Sequence, residues 1–223
     1  MRYLQRREAS QVAYHWANFA AILVLTTTGL AIFFGAEGTA GLFAWHLWAA
    51  WVLVAALIFH VWYSTAAWRR FDRMWITGSD WKNAISRARH GESVAPKHKH
   101  YKFEQIVFHW FIALDVIGLI VTGLILWKPS RMWMGLFWLP WGWDAVYFAR
   151  VLHDFFTFVL VAAVMAHIYF ALCVPKNWLL LRSMFNGRVP LDEYAKDHRL
   201  PARLEVHPDP AKPEARDAVR PAN

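Results

Sequence analysis

His153 and His167 stand fourteen residues apart on one apolar stretch, and the same spacing separates His46 and His60 on another. Fourteen residues of α-helix rise about 21 Å and return to nearly the same face, so each stretch can present one imidazole near each side of a bilayer. Imidazoles paired at two depths are the ligand set for two haems stacked across a membrane. Cys173 is the sole cysteine, which leaves no disulfide, no iron-sulfur cluster within the chain and no Cys-x-x-Cys-His motif for covalent haem attachment. It reads as a small buried hydrophobe. Any haem is therefore b-type, and with histidine on both faces it carries electrons and offers no position to a substrate. In lipid an ionisable residue is costly and marks function more often than it does in a soluble core.

The elements that position these histidines are membrane helices. No charged residue occurs from Ala9 to Ala36 or from Gly38 to Trp68, and few occur from Gln105 to Asn177. A span needs about 20 apolar residues, which places four transmembrane helices at 14–34, 43–66, 106–127 and 150–174. They absorb most of the 57% hydrophobic and 17% aromatic content. No small-residue cleavage site follows the first helix, so it is expected to stay as an anchor.

Lys and Arg are retained on the cytoplasmic side. All but Lys128, Arg131 and Arg150 of the 24 basic residues lie before the first helix, between the second and third, or after the fourth. Both termini are thus expected in the cytoplasm, in the bacterial inner membrane. Trp133, Trp138, Trp141 and Trp143 would mark the outer interface, and Trp68, Trp75, Trp81 and Trp178 the inner one. The net charge of +8 follows from this topology and from attraction to anionic lipid, with no nucleic-acid partner.

This topology puts His46 and His153 near the outer face and His15, His60, His109 and His167 near the inner one. The outer pair is unique, whereas the inner level offers four candidates for two axial positions. The reason is an internal duplication. His15-Trp16 followed by Thr28-Gly29-Leu30 recurs as His109-Trp110 followed by Thr122-Gly123-Leu124 at an offset of 94, and His46 and His60 recur as His153 and His167 at an offset of 107. The chain reads as a duplicated helical hairpin with a pseudo-twofold axis along the membrane normal.

Further stretches make the likeness specific: AYHW on the first helix, AWHLW on the second, VTGLILWKP closing the third, VLHDFF and AHIYFAL on the fourth, then NGRV and YAKDH. Over nearly its whole length the sequence resembles the cytochrome b (gamma) subunit of membrane-bound formate dehydrogenase-N type complexes, within the wider family of nickel-iron hydrogenase and thiosulfate reductase b-type cytochromes. The resemblance implies two haems b, the outer held by His46 and His153 and the inner by His15 and His167. His60 and His109 are not ligands in that pattern. Duplication symmetry instead pairs His60 with His167, as in cytochrome bc complexes, so His60 is the alternative inner ligand. The resemblance also implies a menaquinone or ubiquinone pocket beside the inner haem, at the entry to the third helix. Gln105 matches there, while Lys102 and Glu104 replace a small polar residue and a glycine. Lys102, Glu104, Gln105 and His109 are the groups that could bind a quinone carbonyl or pass it a proton; an interfacial ion pair is the other reading of Lys102 and Glu104.

Nothing in the chain binds a nucleotide, and neither water-exposed loop is large enough for a dehydrogenase active site. Electrons must come from another subunit. The outer loop from Lys128 to Ala149, with its WLPWGWD stretch, suits docking of an iron-sulfur subunit, and the resemblance adds a catalytic molybdenum- or tungsten-type dehydrogenase subunit. The reading is an all-α, integral membrane four-helix bundle over 1–189 with haems between helices and a partly disordered cytoplasmic tail over 190–223. It would transfer electrons from a periplasmic (formate) dehydrogenase through two b haems to quinone near the cytoplasm. The alternatives are a hydrogenase or thiosulfate/polysulfide-type reductase subunit, a stand-alone cytochrome b561-like quinol oxidase, and a haem-free scaffold. Ser79 to Gly91 reads as an amphipathic helix on the inner surface, His98 and His100 as solvated, and Asp115 as a hydrogen-bonded structural carboxyl. Asp154 would orient His153 or face the outer partner.

Overall fold

The computed structural model describes residues 2–67, 74–91, 101–127, 143–198, 200 and 206–208. The outer loop 128–142, His98, His100, Trp68 and most of the chain from Pro201 on lie outside the described residues. Four helices are long and apolar enough to cross a membrane: α1 (Ala9–Phe33), α2 (Thr39–Trp62, continued by a π-helical turn at Tyr63–Ala67), α4 (Phe103–Trp127) and α5 (Trp143–Leu172). Each begins three to seven residues before the apolar run that announces it. Hydropathy marks the part of a helix that needs lipid, while the helix itself runs on into polar turns. Glu104 and Asp144 sit in the first turns of α4 and α5, where a carboxylate complements the positive end of the helix dipole. Gly35 and Gly38, at φ 73° and 75°, make the sharp reversal between α1 and α2, a backbone region that glycine enters without a Cβ clash.

The chain divides into two compact units: Trp16–Phe71 with Glu104–Phe170, and Met1–His15 with Asp72–Phe103 and Ala171–Asn223. The first is the helical bundle. Its centre is an apolar layer with one buried residue from each span, Ala21, Leu53, Val116 and Leu160. Leu53 lies seven residues from both His46 and His60, and Leu160 seven from both His153 and His167, so this layer falls midway between the two histidine levels. Outward faces are equally apolar: Trp45, Leu114 and Met165 are each 67% exposed, as lipid-facing side chains should be.

The duplication inferred from sequence recurs as duplicated contacts. Phe33 meets Phe158 edge-on at 5.3 Å, and the residues at the two offsets, Trp127 and Trp51, meet at 5.4 Å in the same manner. The bundle therefore carries its pseudo-twofold in side-chain packing as well as in order along the chain.

The second unit contains a three-stranded antiparallel sheet of β1 (Arg2–Gln5), β2 (Arg188–Pro190) and β3 (Val206–Pro208) in the order β2-β1-β3. Such short strands show no readable alternation, and the all-α reading lacks them. Leu4 and Val189 from the sheet pack with Leu191 and Tyr194 of α7 (Leu191–Asp197) and with Leu179 of α6 (Trp178–Asn186). The boundary drawn at 189 thus falls inside an ordered strand, and residues 191–197 are helical. Gly187, at φ 74°, accepts hydrogen bonds from Arg6 N and Arg7 N at 2.8 and 3.0 Å. Arg6 is buried and donates to Ser183 Oγ. Burial, and then the neighbouring Arg6 charge, pushes the Arg7 guanidinium down to about 10. Helix α3 (Gly78–His90) forms as the 79–91 pattern predicts, opened by a capping box in which Thr77 N donates to Asp80 Oδ2 at 3.0 Å. Cys173 is exposed rather than buried, one residue past the end of α5.

Candidate haem-binding site

His46 and His153 are held in matching settings. Thr28 on α1 donates its single hydroxyl proton back to Val24 O at 2.6 Å, and its oxygen lies 3.0 Å from His46 Nδ1 on α2. Thr122 on α4 donates to Gly118 O at 2.7 Å, and its oxygen lies 2.9 Å from His153 Nδ1 on α5. With the hydroxyl proton committed to the preceding turn, the threonine oxygen is an acceptor and Nδ1–H the donor. That fixes the tautomer in which Nε2 keeps its lone pair, the state a ligating histidine needs.

Glycines make the space. A Cβ at Gly29 would lie 3.2 Å from His46 Cε1, and one at Gly123 would lie 3.2 Å from His153 Cε1. Each imidazole therefore rests against a glycine backbone: the threonine supplies the hydroxyl oxygen and the glycine, at the next position, the clearance. The two rings face each other across α2 and α5 with centroids 6.4 Å apart and planes at 65°. Imidazole nitrogens bond a first-row metal at about 2 Å and sit roughly 1 Å from the ring centre, so two rings on opposite sides of one iron have centres about 6 Å apart. The residues present fit a bis-histidine haem iron. Among the described residues no group of three or more His, Cys, Asp or Glu gathers as a multidentate metal site would require.

At the other level, His60 on α2 and His109 on α4 have ring centroids 5.9 Å apart. His167 on α5 stacks on Phe108 at 5.7 Å with planes 10° apart. His15 lies on α1 but belongs to the other unit. Gln105 and His109 are one helical turn apart on α4, both half-buried, whereas Glu104 is exposed. Lys102 precedes α4 and lies in the second unit. Asp115 is 5% exposed, and neither carboxylate oxygen has a hydrogen-bond partner among the described residues, so the hydrogen bonds expected of a structural carboxyl are not made there. Asp154 is half-buried beside His153. Sequence reasoning singled out Thr28-Gly29 and Thr122-Gly123 only as marks of duplication; their role beside the histidines could have been suspected from their recurrence at one offset with an imidazole at the other.

The model of the prokaryotic cytochrome b561 family matches residues 6–187. The formate dehydrogenase cytochrome b556(fdo) subunits of Escherichia coli strains K12 and O157:H7 are each 32% identical over 98 residues. That alignment covers 44% of this chain and 42% of each relative, less than half the length of either. The family match spans most of the chain and includes all six membrane histidines, and on that ground this multi-pass membrane electron-transfer protein belongs to the prokaryotic cytochrome b561 family, whose cytochrome b character implies haem b.

Proposed function

We propose that the chain is the dihaem membrane anchor of a respiratory oxidoreductase, passing electrons from a periplasmic iron-sulfur subunit of a dehydrogenase to menaquinone or ubiquinone near the cytoplasmic side. The carrying observation is the outer pair: two imidazoles 6.4 Å apart, each with a threonine hydroxyl oxygen within 3.0 Å of its Nδ1. Haem b held by two histidines supplies reversible one-electron transfer without an open coordination position. In this reading His46 and His153 hold the outer haem and His15 and His167 the inner one, with His60 the alternative inner ligand. The apolar layer of Ala21, Leu53, Val116 and Leu160 keeps water from the space between the levels. Gln105 and His109, with Lys102 and Glu104 at the same end of α4, bind the quinone head and supply protons from the cytoplasmic side. Both termini and the basic segments then face the cytoplasm of a bacterial inner membrane, and α3 lies on that surface. The cytochrome b556 relatives favour formate dehydrogenase, with its iron-sulfur and molybdenum- or tungsten-type catalytic subunits, as the donor complex.

The test is a dithionite-reduced minus oxidised spectrum followed by substrate-driven reduction in the assembled complex. Low-spin b-type bands are expected, and their absence overturns the reading. Gln105→Ala or Lys102→Ala should leave both haems reducible by substrate while reduced haem accumulates and quinone turnover slows. Unchanged turnover in both variants would move the quinone away from α4. The family match also favours a second reading, a stand-alone quinol oxidase. Haem reduction by added quinol in the isolated chain, with no copurifying iron-sulfur subunit, would select it.

A further inference from the structure

Asp115 is the one carboxyl of α4 beyond its first turn. It is 5% exposed, and neither of its oxygens has a hydrogen-bond partner among the described residues. Three contacts between α4 and α5 define where it lies. Phe108 stacks on His167 at 5.7 Å, a Cβ at Gly118 would meet the Phe156 ring, and the Thr122 hydroxyl oxygen lies 2.9 Å from His153 Nδ1. Residues 108, 115, 118 and 122 share one face of α4, and the antiparallel register of these contacts sets Asp115 opposite Leu160 of the central apolar layer. Asp115 is seven residues from Phe108 and seven from Thr122. The carboxyl therefore sits about 10 Å of helical rise from the His167 level and equally far from the His153 level.

The surroundings at that height are apolar. Val116, beside it, packs with Ala21 of α1, Leu53 of α2 and Leu160 of α5. No titratable side chain occurs on α1 between His15 and Phe33, on α2 between His46 and His60, or on α5 between Asp154 and His167. The titratable groups nearest in height are His109, six residues along the same helix, and then His153, Asp154 and His167. The duplication adds an independent observation. The offset of 94 that carries Thr122 onto Thr28 carries Asp115 onto Ala21, which is buried in the same layer. One half of the bundle closes this position with a methyl group, so packing does not require a carboxyl. The other half buries an ionisable group with no hydrogen bond to offset the cost, in the setting where such groups mark function.

We propose that Asp115 is a redox-linked proton acceptor between the two haem levels: an electron arriving at the His153 or the His167 level is accompanied by a proton taken onto the Asp115 carboxylate. This rests on the haem-carrying reading above and deepens it. The electron comes from the donor subunit and the proton from water; one O–H bond forms on the carboxylate, and it breaks again when the electron moves on to quinone. With no hydrogen bond to hold either form, the balance between carboxylate and neutral acid is set by the charges at the two levels, across apolar side chains that screen them weakly. Added negative charge favours the acid, and by linkage the carboxylate opposes the electron by the same free energy.

The test is a redox titration of the full chain in detergent over a series of pH values. The midpoint potential of at least one haem should fall as pH rises, by up to about 59 mV for each tenfold change in proton concentration, the limit for one proton per electron. Asp115→Asn, which copies the neutral acid, should hold that midpoint at its acid-limit value at every pH, and Asp115→Glu should restore the slope. Because substitution could disturb haem incorporation, reduced minus oxidised infrared spectra of the unsubstituted chain, with and without carboxyl-labelled aspartate, give a second readout: a protonated-carboxyl band should grow on reduction and shift with the label. A pH-independent midpoint in the unsubstituted chain, an unchanged slope in Asp115→Asn, or no label-sensitive band on reduction would each overturn the proposal while leaving the haem reading intact. Absence of any b-type spectrum would refute the haem reading itself.

Discussion

Replacing Thr122 by valine tests the outer site at its most specific point. Valine keeps the shape of threonine and deletes the oxygen that lies 2.9 Å from His153 Nδ1. The backbone oxygen of Leu119 also accepts from this imidazole, so losing the threonine oxygen falls in the lower part of the penalty for an unsatisfied donor, about 1–2 kcal/mol, and with each 1.4 kcal/mol tenfold in an equilibrium constant haem should bind the outer site roughly 5- to 30-fold more weakly. That overlaps the 10- to 100-fold range for lost partners of metal-ligating histidines. The Nδ1–H bond also makes the imidazole a more basic ligand, which favours ferric iron. If about 1 kcal/mol of that effect separates the two oxidation states, the outer potential should rise by about 40 mV, since 59 mV corresponds to tenfold for one electron. Thr28→Val should do the same through His46, because its hydroxyl is placed equivalently. Thr122→Ser should restore both values. The assay is haem titration into apoprotein together with a redox titration of the outer band. Wild-type affinity and potential in both valine variants would refute the argument that threonine sets the tautomer.

His46→Ala and His153→Ala should each remove the outer haem and spare the inner spectrum, and His15→Ala should remove the inner haem, as read by reduced minus oxidised spectra of the purified variants. Gly29→Ala and Gly123→Ala bring a Cβ to 3.2 Å from the respective imidazole Cε1 and should tilt the rings, broadening or shifting the low-spin resonance signal without loss of protein. Gly187→Ala meets two obstacles, a φ of +74° and a Cβ 2.5 Å from Arg7 O, so the sheet unit should lose about 2–4 kcal/mol; protease cleavage near the N-terminus should accelerate while the spectrum of the haem held by His46 and His153 stays unchanged. Asp115→Leu removes a buried carboxylate with no hydrogen-bond partner among the described residues and should raise thermal stability in detergent by about 1–3 kcal/mol; a loss of stability would show that the carboxylate has a partner.

What the sequence determined by itself is whatever depends on helical period and on lipid. Four spans, and the fourteen-residue spacing that sets His46 and His153 at one level of the bundle, follow from a rise of about 1.5 Å per residue and from apolar runs that can only be helices in a bilayer. The duplication was legible as well, because equal offsets survive in the residues that packing constrains. Helix ends were not, since polar first turns such as those of α4 carry no apolar period. The sheet of residues 2–5, 188–190 and 206–208 was invisible, as strands of three or four residues are specified by partners far along the chain. The tertiary structure alone decided which hydroxyl meets which imidazole, and that His60 comes to face His109. Periodicity gives the height and face of a residue on its own helix, but the azimuth of one helix about another is set by side-chain packing summed over the whole interface.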